Sequence, residues 1–340
     1  MKNILLKFIL VLSSLHFWAC ETIVDDIPLS RFPEIKEKLV MNSFISPQDT
    51  VIYVRLTLSS PLFGAYKPLV FNNFNTSDTT TQNIDALVAD ATVTISNGNQ
   101  TATIPYNKTN YLYALPTTIF KIEAGKTYTL KAITKNHRVE ASTTIPLQKV
   151  PIESFETNPT SRLANFQSAQ LGPQTDTVKG VEFVFRWKDL PNQKNYYKIG
   201  GYLDYYYEVP TIRSNRLTYL TRRSITVANL SDQRAYFNDA NEDGSLMVTL
   251  KSAVYRSLGL SAISFNGKTY RNRPSPLGAK LILELGNLSK EFYDYHTTLF
   301  RSNDVEDNPF AEAVPVYTNV KNGLGCFAGY NRTQLFITLE

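Results

Sequence analysis

Short runs of alternating apolar and polar residues, separated by turn-forming clusters, limit this chain to a mainly β architecture. Residues 39–45 and 51–59 are rich in β-branched and aromatic side chains and flank Ser46-Pro47-Gln48-Asp49. Residues 92–95 and 101–106 flank Asn97-Gly98, the strongest short hairpin dipeptide. Residues 128–134 and 138–145 flank Lys135-Asn136-His137. A period of two places alternate side chains on opposite faces of a strand, so each run can bury one face. Short strands at near-regular spacing predict a β-sandwich over residues 38–150, with Pro146 and Pro151 bracketing its end.

The second half, 151–340, reads as another β-rich domain. Residues 181–187 alternate and lead into the turn Asp189-Leu190-Pro191-Asn192. Residues 224–230, 245–251 and 280–285 are further strand segments, and Asn266-Gly267 centres a hairpin. Leu288, Phe292, Tyr295 and Leu299 recur at helical spacing behind Ser289, an N-cap residue, so one helix is expected near the C-terminus. Gly125-Lys126-Thr127-Tyr128-Thr129-Leu130 resembles the strand entry of transthyretin-like and carboxypeptidase-regulatory-like sandwiches. The expected fold is therefore an N-terminal Ig/transthyretin-like β-sandwich followed by a β-rich domain with a single helix.

The N-terminus carries a different signal. Met1-Lys2-Asn3 is a basic start, and an apolar run follows that Lys7 interrupts. What remains is too short to span a bilayer, which needs roughly 20 residues. Residues 1–19 read as a signal peptide that is removed. Ala19-Cys20 resembles the bacterial lipoprotein processing site, at which the thiol of Cys20 is acylated by palmitate-type chains. Phe17 and Trp18 stand where that site usually has leucine and a small residue; an ordinary secretory signal cleaved elsewhere is the alternative. Two or more acyl chains anchor stably. Residues 20–37 then form the lipidated cysteine and its tether. Glu21 and Asp25-Asp26 resemble the surface-export signal of Bacteroidota-type lipoproteins, which implies the cell surface of the outer membrane, the periplasmic face being the alternative.

Composition excludes several classes. Loss of Lys2 and Lys7 with the signal leaves 33 basic against 30 acidic residues, or +3, with no long Lys/Arg run, so nucleic acid is not an expected partner. Two cysteines are present, and acylation of Cys20 leaves Cys326 without an intrachain partner. Only His137 and His296 remain in the mature chain, too few for a Cys/His zinc site.

The C-terminal stretch reads as one block: Asn308-Pro309-Phe310-Ala311-Glu312, Val316-Tyr317-Thr318-Asn319-Val320, and Asn322-Gly323-Leu324-Gly325-Cys326-Phe327-Ala328-Gly329-Tyr330. It resembles the ending of the domain-of-unknown-function family 4249. Leu39-Val40, Ala91-Thr92-Val93, Thr144-Ile145-Pro146 and Asp189-Leu190-Pro191 with Tyr196-Tyr197 agree with it. Ala313 replaces the family's usual proline, and Cys326 its usual aliphatic residue, which makes the thiol a small core hydrophobe. The resemblance implies an outer-membrane lipoprotein, often encoded beside a TonB-dependent receptor. It transfers no catalytic residue. Gly323, Gly325 and Gly329 fit close backbone approach in a terminal strand pair.

Three further segments bear on function. About thirty residues separate the strand ending near Ser59 from the one starting near Ala91, far beyond the usual loop of roughly 4–6. Phe63, Tyr66, Phe71 and Phe74 lie there, and binding is the favoured reading of such an insertion on a rigid scaffold. Residues 196–208 hold six tyrosines; on a strand Tyr202, Asp204 and Tyr206 face one side and Leu203, Tyr205 and Tyr207 the other. Core packing is the favoured role, with Tyr205, Tyr206 and Tyr207 as the alternative stacking platform. Asp239-Ala240-Asn241-Glu242-Asp243-Gly244 matches the opening of a calcium loop, but Leu250 holds the twelfth place where a bidentate acid belongs. A polar turn is favoured, and calcium at Asp239, Asn241 and Asp243 is the one cofactor alternative.

Gly125-Lys126-Thr127 and Gly267-Lys268-Thr269 lack the first glycine of a phosphate loop, having Phe120 and Ala262 there. Arg213, Arg216, Arg222 and Arg223 form a modest basic patch, for which a solvated loop is favoured over an anion site. Neither a nucleophile elbow nor an H-E-x-x-H pattern occurs, so no enzyme is expected; a two-carboxylate hydrolase is the remote alternative. The expectation is a lipid-anchored envelope binding protein, an accessory subunit of a TonB-dependent barrel. The alternative is a structural or adhesive surface lipoprotein without a transporter partner.

Overall fold

In the first strand, β1 (Leu39–Ile45), Leu39, Met41, Ser43 and Ile45 are buried while the residues between them are half-covered, so the alternation in the sequence becomes a one-sided strand. The computed structural model describes residues 37–59, 87–168, 172–228, 235–239, 243–256, 258, 262–306, 312 and 314–339. Next come β2 (Val51–Leu58), β3 (Thr92–Ser96), β4 (Thr101–Thr103), β5 (Tyr106–Asn107), β6 (Leu112–Pro116), β7 (Thr127–Ile133) and β8 (Arg138–Thr144). The second half holds β9 (Ser154–Ser168), β10 (Gly172–Lys188), β11 (Tyr196–Arg213), β12 (Arg216–Val227), β13 (Tyr236–Asn238), β14 (Leu246–Val248) and β15 (Ser252–Tyr255). It closes with β16 (Ala262–Phe265), β17 (Lys268–Arg271), β18 (Arg273–Leu288), helix α1 (Lys290–Glu306) and β19 (Leu324–Leu339). The chain is mainly β, with one described helix near its C-terminus.

A nine-stranded sheet runs in the order β12-β11-β18-β19-β1-β2-β6-β5, with β13 beside β11. A four-stranded sheet, β4-β3-β7-β8, shares a core with its β1, β2 and β6 end. Met41, Val54, Val93, Ile95, Tyr128 and Leu130 are among the side chains buried there. A second core lies under the β11-β18 end, where Phe183, Phe185 and Trp187 of β10 meet Leu203, Tyr205 and Leu283. Each such side chain contributes roughly 1.5–3 kcal/mol by leaving water.

β19 ties the two cores together. Its first part pairs with β1 in parallel, Val40 opposite Leu324 through Ile45 opposite Gly329. Its second part pairs antiparallel with β18, Leu288 opposite Tyr330 through Ala279 opposite Leu339. Phe327 enters the first core, whereas Leu335, Ile337 and Leu339 pack on the second. Strands from both sides of residue 150 thus share one sheet. All the described strands and α1 belong to one unit, Lys38–Ser59 with Pro68–Glu340; the other, Met1–Glu37 with Ser60–Lys67, lies outside the described residues apart from Glu37.

The glycine-rich block is explained by the β1–β19 pairing. Gly325 has φ +99°, and a Cβ there would sit 2.4 Å from the Met41 carbonyl oxygen. Asn319 acts as a surrogate strand: its Oδ1 accepts from the Phe327 amide at 3.0 Å and its Nδ2 donates to the Phe327 carbonyl at 2.7 Å. The helix begins later than its apolar spacing suggests. Leu288 closes β18, paired with Tyr330, and Ser289 Oγ caps α1 by accepting from the Phe292 amide at 3.4 Å. Phe292 then packs on Cys326 and Ala328 across the face of β19 opposite Phe327.

Candidate functional site

β12, β11, β18 and β19 bury one face against the second core; α1 covers part of the other at Tyr196, Leu288, Cys326 and Ala328, and the remainder is open. On β19 the inner residues Leu335, Ile337 and Leu339 pack against the second core, while Gln334, Phe336 and Thr338 are exposed. A one-sided antiparallel sheet ordinarily turns polar side chains to water. Here the register instead aligns four apolar side chains across four strands: Val227 opposite Tyr202, Tyr202 opposite Ile282, Ile282 opposite Phe336. Phe336 is 62% exposed and Val227 54%. Ile225, 37% exposed, continues the apolar surface in the next row, opposite Asp204.

Tyr202 lies across its own strand toward Gly200, where a Cβ would come within 3.3 Å of its hydroxyl. That hydroxyl donates to Glu284 Oε1 at 3.5 Å. Burial, then the Glu284 charge, pushes the phenol well above its ordinary range.

Charged groups frame the row, and they balance. Arg223 grips Asp204 through Nε at 2.8 Å and a terminal nitrogen at 2.6 Å, and those hydrogen bonds hold the Asp204 carboxyl below its usual range. On the other side Arg332 lies 3.1 Å from Asp49 and 3.5 Å from Glu284. Gln334 donates to Glu284 at 2.8 Å, and Tyr330 donates to Asp49 at 3.2 Å. Burial raises the Asp49 carboxyl against the pull of Arg332. With Lys280 beside Asp204, the three acids meet three bases and no net charge remains.

Of the residues singled out from sequence, Cys20, Phe63, Tyr66, Phe71, Phe74 and Asn241 lie outside the described residues. Tyr205 is fully buried in the second core, with Tyr207 packed against it at a ring distance of 6.3 Å. Tyr206 stands on the opposite, open face, where it is opposite Arg223. Asp239 and Asp243 are both engaged in turn geometry. Asp239 Oδ2 accepts from the Asn195 amide at 2.7 Å, and Asp243 Oδ1 from the Asn192 amide at 2.7 Å. Among the described residues no three His, Cys, Asp or Glu side chains are grouped to hold a metal.

The apolar row itself was missed at the sequence level. Strand alternation places Tyr202 on its face, but Val227, Ile282 and Phe336 come from three other strands, and only their register brings them into line. A signal existed in Gln334-Leu335-Phe336-Ile337, where both faces of one strand are apolar.

His296 and Cys326 are absorbed by packing. The His296 ring stacks on Phe292 at 4.5 Å and on Tyr236 at 5.3 Å, and its Nδ1 donates to the Phe292 carbonyl at 2.9 Å. Burial pushes its pKa down to about 4. Cys326 is fully buried, and burial pushes its thiol up. Among the described residues no helix is long and apolar enough to cross a membrane.

No curated protein matches this chain. The model of one protein family does, over residues 24–335, which include the C-terminal glycine block and stop one residue short of Phe336. The chain belongs to the family described as Domain of unknown function (DUF4249).

Proposed function

We propose that this chain is a lipid-anchored cell-envelope binding protein, held at the outer-membrane surface by acylated Cys20, and that it serves as an accessory subunit of a TonB-dependent transporter. The observation that carries the reading is the in-register row Val227, Tyr202, Ile282 and Phe336, half-covered at its centre and exposed at both ends. Contiguous exposed apolar side chains rimmed by polar groups mark a surface that another molecule covers. The self-compensated rim suits a protein partner, because the charges at its edge already have counter-ions when the apolar centre is desolvated.

The test is a mild-detergent affinity purification of the native lipoprotein from outer membranes, beside a Phe336→Glu variant. A large barrel receptor recovered in stoichiometric amount with the native chain, and depleted with the variant, is the expected result. Recovery of the lipoprotein alone, with its acyl chains present and at gentle salt, overturns the transporter reading in favour of an adhesive or structural role.

A further inference from the structure

The β11–β12 hairpin continues past the body of the sheet. β11 pairs with β18 as far as Glu208 opposite Arg273, whereas its pairing with β12 runs on to Arg213 opposite Arg216. From residue 211 to 218 only Thr211 and Leu217 are even half-covered. The turn is Ser214-Asn215, both at positive φ (47° and 57°), as a tight two-residue hairpin turn requires.

Residues 209–222 hold three arginines and no acidic residue. The alternation of the ribbon puts Arg213, Arg216 and Arg222 on one face, since 216, 218, 220 and 222 share a side and Arg213 is directly opposite Arg216. Like charges placed directly opposite each other oppose pairing. No ion pair with a described acidic side chain offsets that repulsion. The neighbouring arginines differ: Arg223 is committed to Asp204, and Arg273 to Glu208 at 2.7 Å and to the Tyr219 ring at 3.8 Å. The opposite face of the tip presents Ile212, 44% exposed, with Leu217 across from it.

We infer that this hairpin tip docks on an anionic phospholipid surface. Guanidinium groups match phosphate oxygens in planar, two-point fashion. A ribbon whose tip carries Arg213 and Arg216 uncommitted, with Arg222 behind them on the same face, offers that chemistry without first breaking ion pairs. The choice of a lipid surface over a soluble phosphate rests on Ile212. A tip that enters end-on brings Arg213 and Arg216 from one face and Ile212 from the other to the headgroup boundary, and a free anion needs no such apolar contact. The inference is independent of the transporter reading and adds a second membrane contact to the anchor at Cys20.

The experiment uses the full chain with Cys20→Ser, so that acylation cannot mask the tip. Its co-sedimentation is measured with phosphatidylcholine vesicles, with and without phosphatidylglycerol, at low and high salt. Binding is expected only to the anionic vesicles and should weaken with salt. The double variant Arg213→Ser/Arg216→Ser should lower the partition roughly twenty-fivefold, on a rule of about fivefold per arginine. The Arg213→Lys/Arg216→Lys pair should lose far less, and Ile212→Asn should weaken vesicle binding. Circular dichroism on each variant separates unfolding from lost contact. Equal binding to neutral vesicles, or equal binding by a folded serine variant, overturns the inference. So does displacement by soluble glycerophosphate, which would mark a small-anion site.

Discussion

Arg332 on β19 lies 3.1 Å from Asp49, a residue of the turn between β1 and β2, so the last strand of the chain is tied by charge to its first hairpin. The same guanidinium reaches Glu284 of β18 at 3.5 Å. Gln48 supports the contact, its Oε1 accepting from the Arg332 amide at 2.9 Å and its Nε2 donating to Asn331 at 3.0 Å. Arg332→Met should cost about 2 kcal/mol, because it strands the buried Glu284 and half-buried Asp49 carboxylates, and urea denaturation would measure it. Asp49 has the opposite pH sense from an ordinary ion-paired acid. Its folded pKa is raised above the unfolded 3.8, so its ionised form disfavours folding and stability should improve as pH falls through the folded value. Asp49→Asn should remove that term from the pH profile of the denaturation midpoint.

His296 offers a second pH test. Its folded pKa is about 4 against an unfolded 6.5, because burial among Phe292 and Tyr236 disfavours the imidazolium. The unfolded chain therefore binds a proton first. Stability from this group is complete above pH 6.5 and is lost as pH falls toward 4, with a slope approaching ~1.4 kcal/mol per pH unit. His296→Phe should flatten that limb, and the imidazole resonances should titrate near pH 4 by NMR.

Two glycines with positive φ should behave differently on substitution by alanine. Gly267 (φ +73°) has nothing within 4 Å of the added Cβ, so Gly267→Ala should cost only about 1 kcal/mol of backbone strain. A Cβ added at Gly325 would instead sit 2.4 Å from the Met41 carbonyl oxygen and 2.8 Å from Asn42 Oδ1. Gly325→Ala must push β19 off β1 and should cost several times as much, roughly 3 kcal/mol or more. Denaturation midpoints of the pair would show it.

Cys326 should resist thiol reagents in the folded protein. It is fully buried under α1, where its Sγ donates to the Glu291 carbonyl at 3.5 Å and burial keeps the thiolate out of reach. Reaction with a thiol-specific reagent should wait on unfolding, so the native labelling rate should track stability across the variants above. Rapid labelling of folded protein would contradict this placement.

Local pattern carried much of the fold into view. The strands through Leu39–Ile45, the hairpin around Asn266-Gly267 and the cap at Ser289 are decided by side-chain period, turn chemistry and one hydroxyl, all of which reside within a few residues. The parity of the tyrosine run was legible for the same reason: successive side chains on a strand must alternate, so Tyr205 and Tyr206 part company wherever the strand lies. Leu288 shows the limit, since its apolar side chain suits a strand end as well as a helix, and only its pairing with Tyr330 decides.

What the sequence alone determined was the class of the chain, its family block and the ends of its local elements. Tertiary structure decided the rest. Nothing within residues 324–339 says that their first part must pair with β1 and their second with β18, because partner choice depends on shape and burial summed over distant segments. The open apolar row and the uncommitted arginines arise in the same way. Each is an arrangement of ordinary side chains, given meaning by the strand register and by which neighbours already hold the opposite charge.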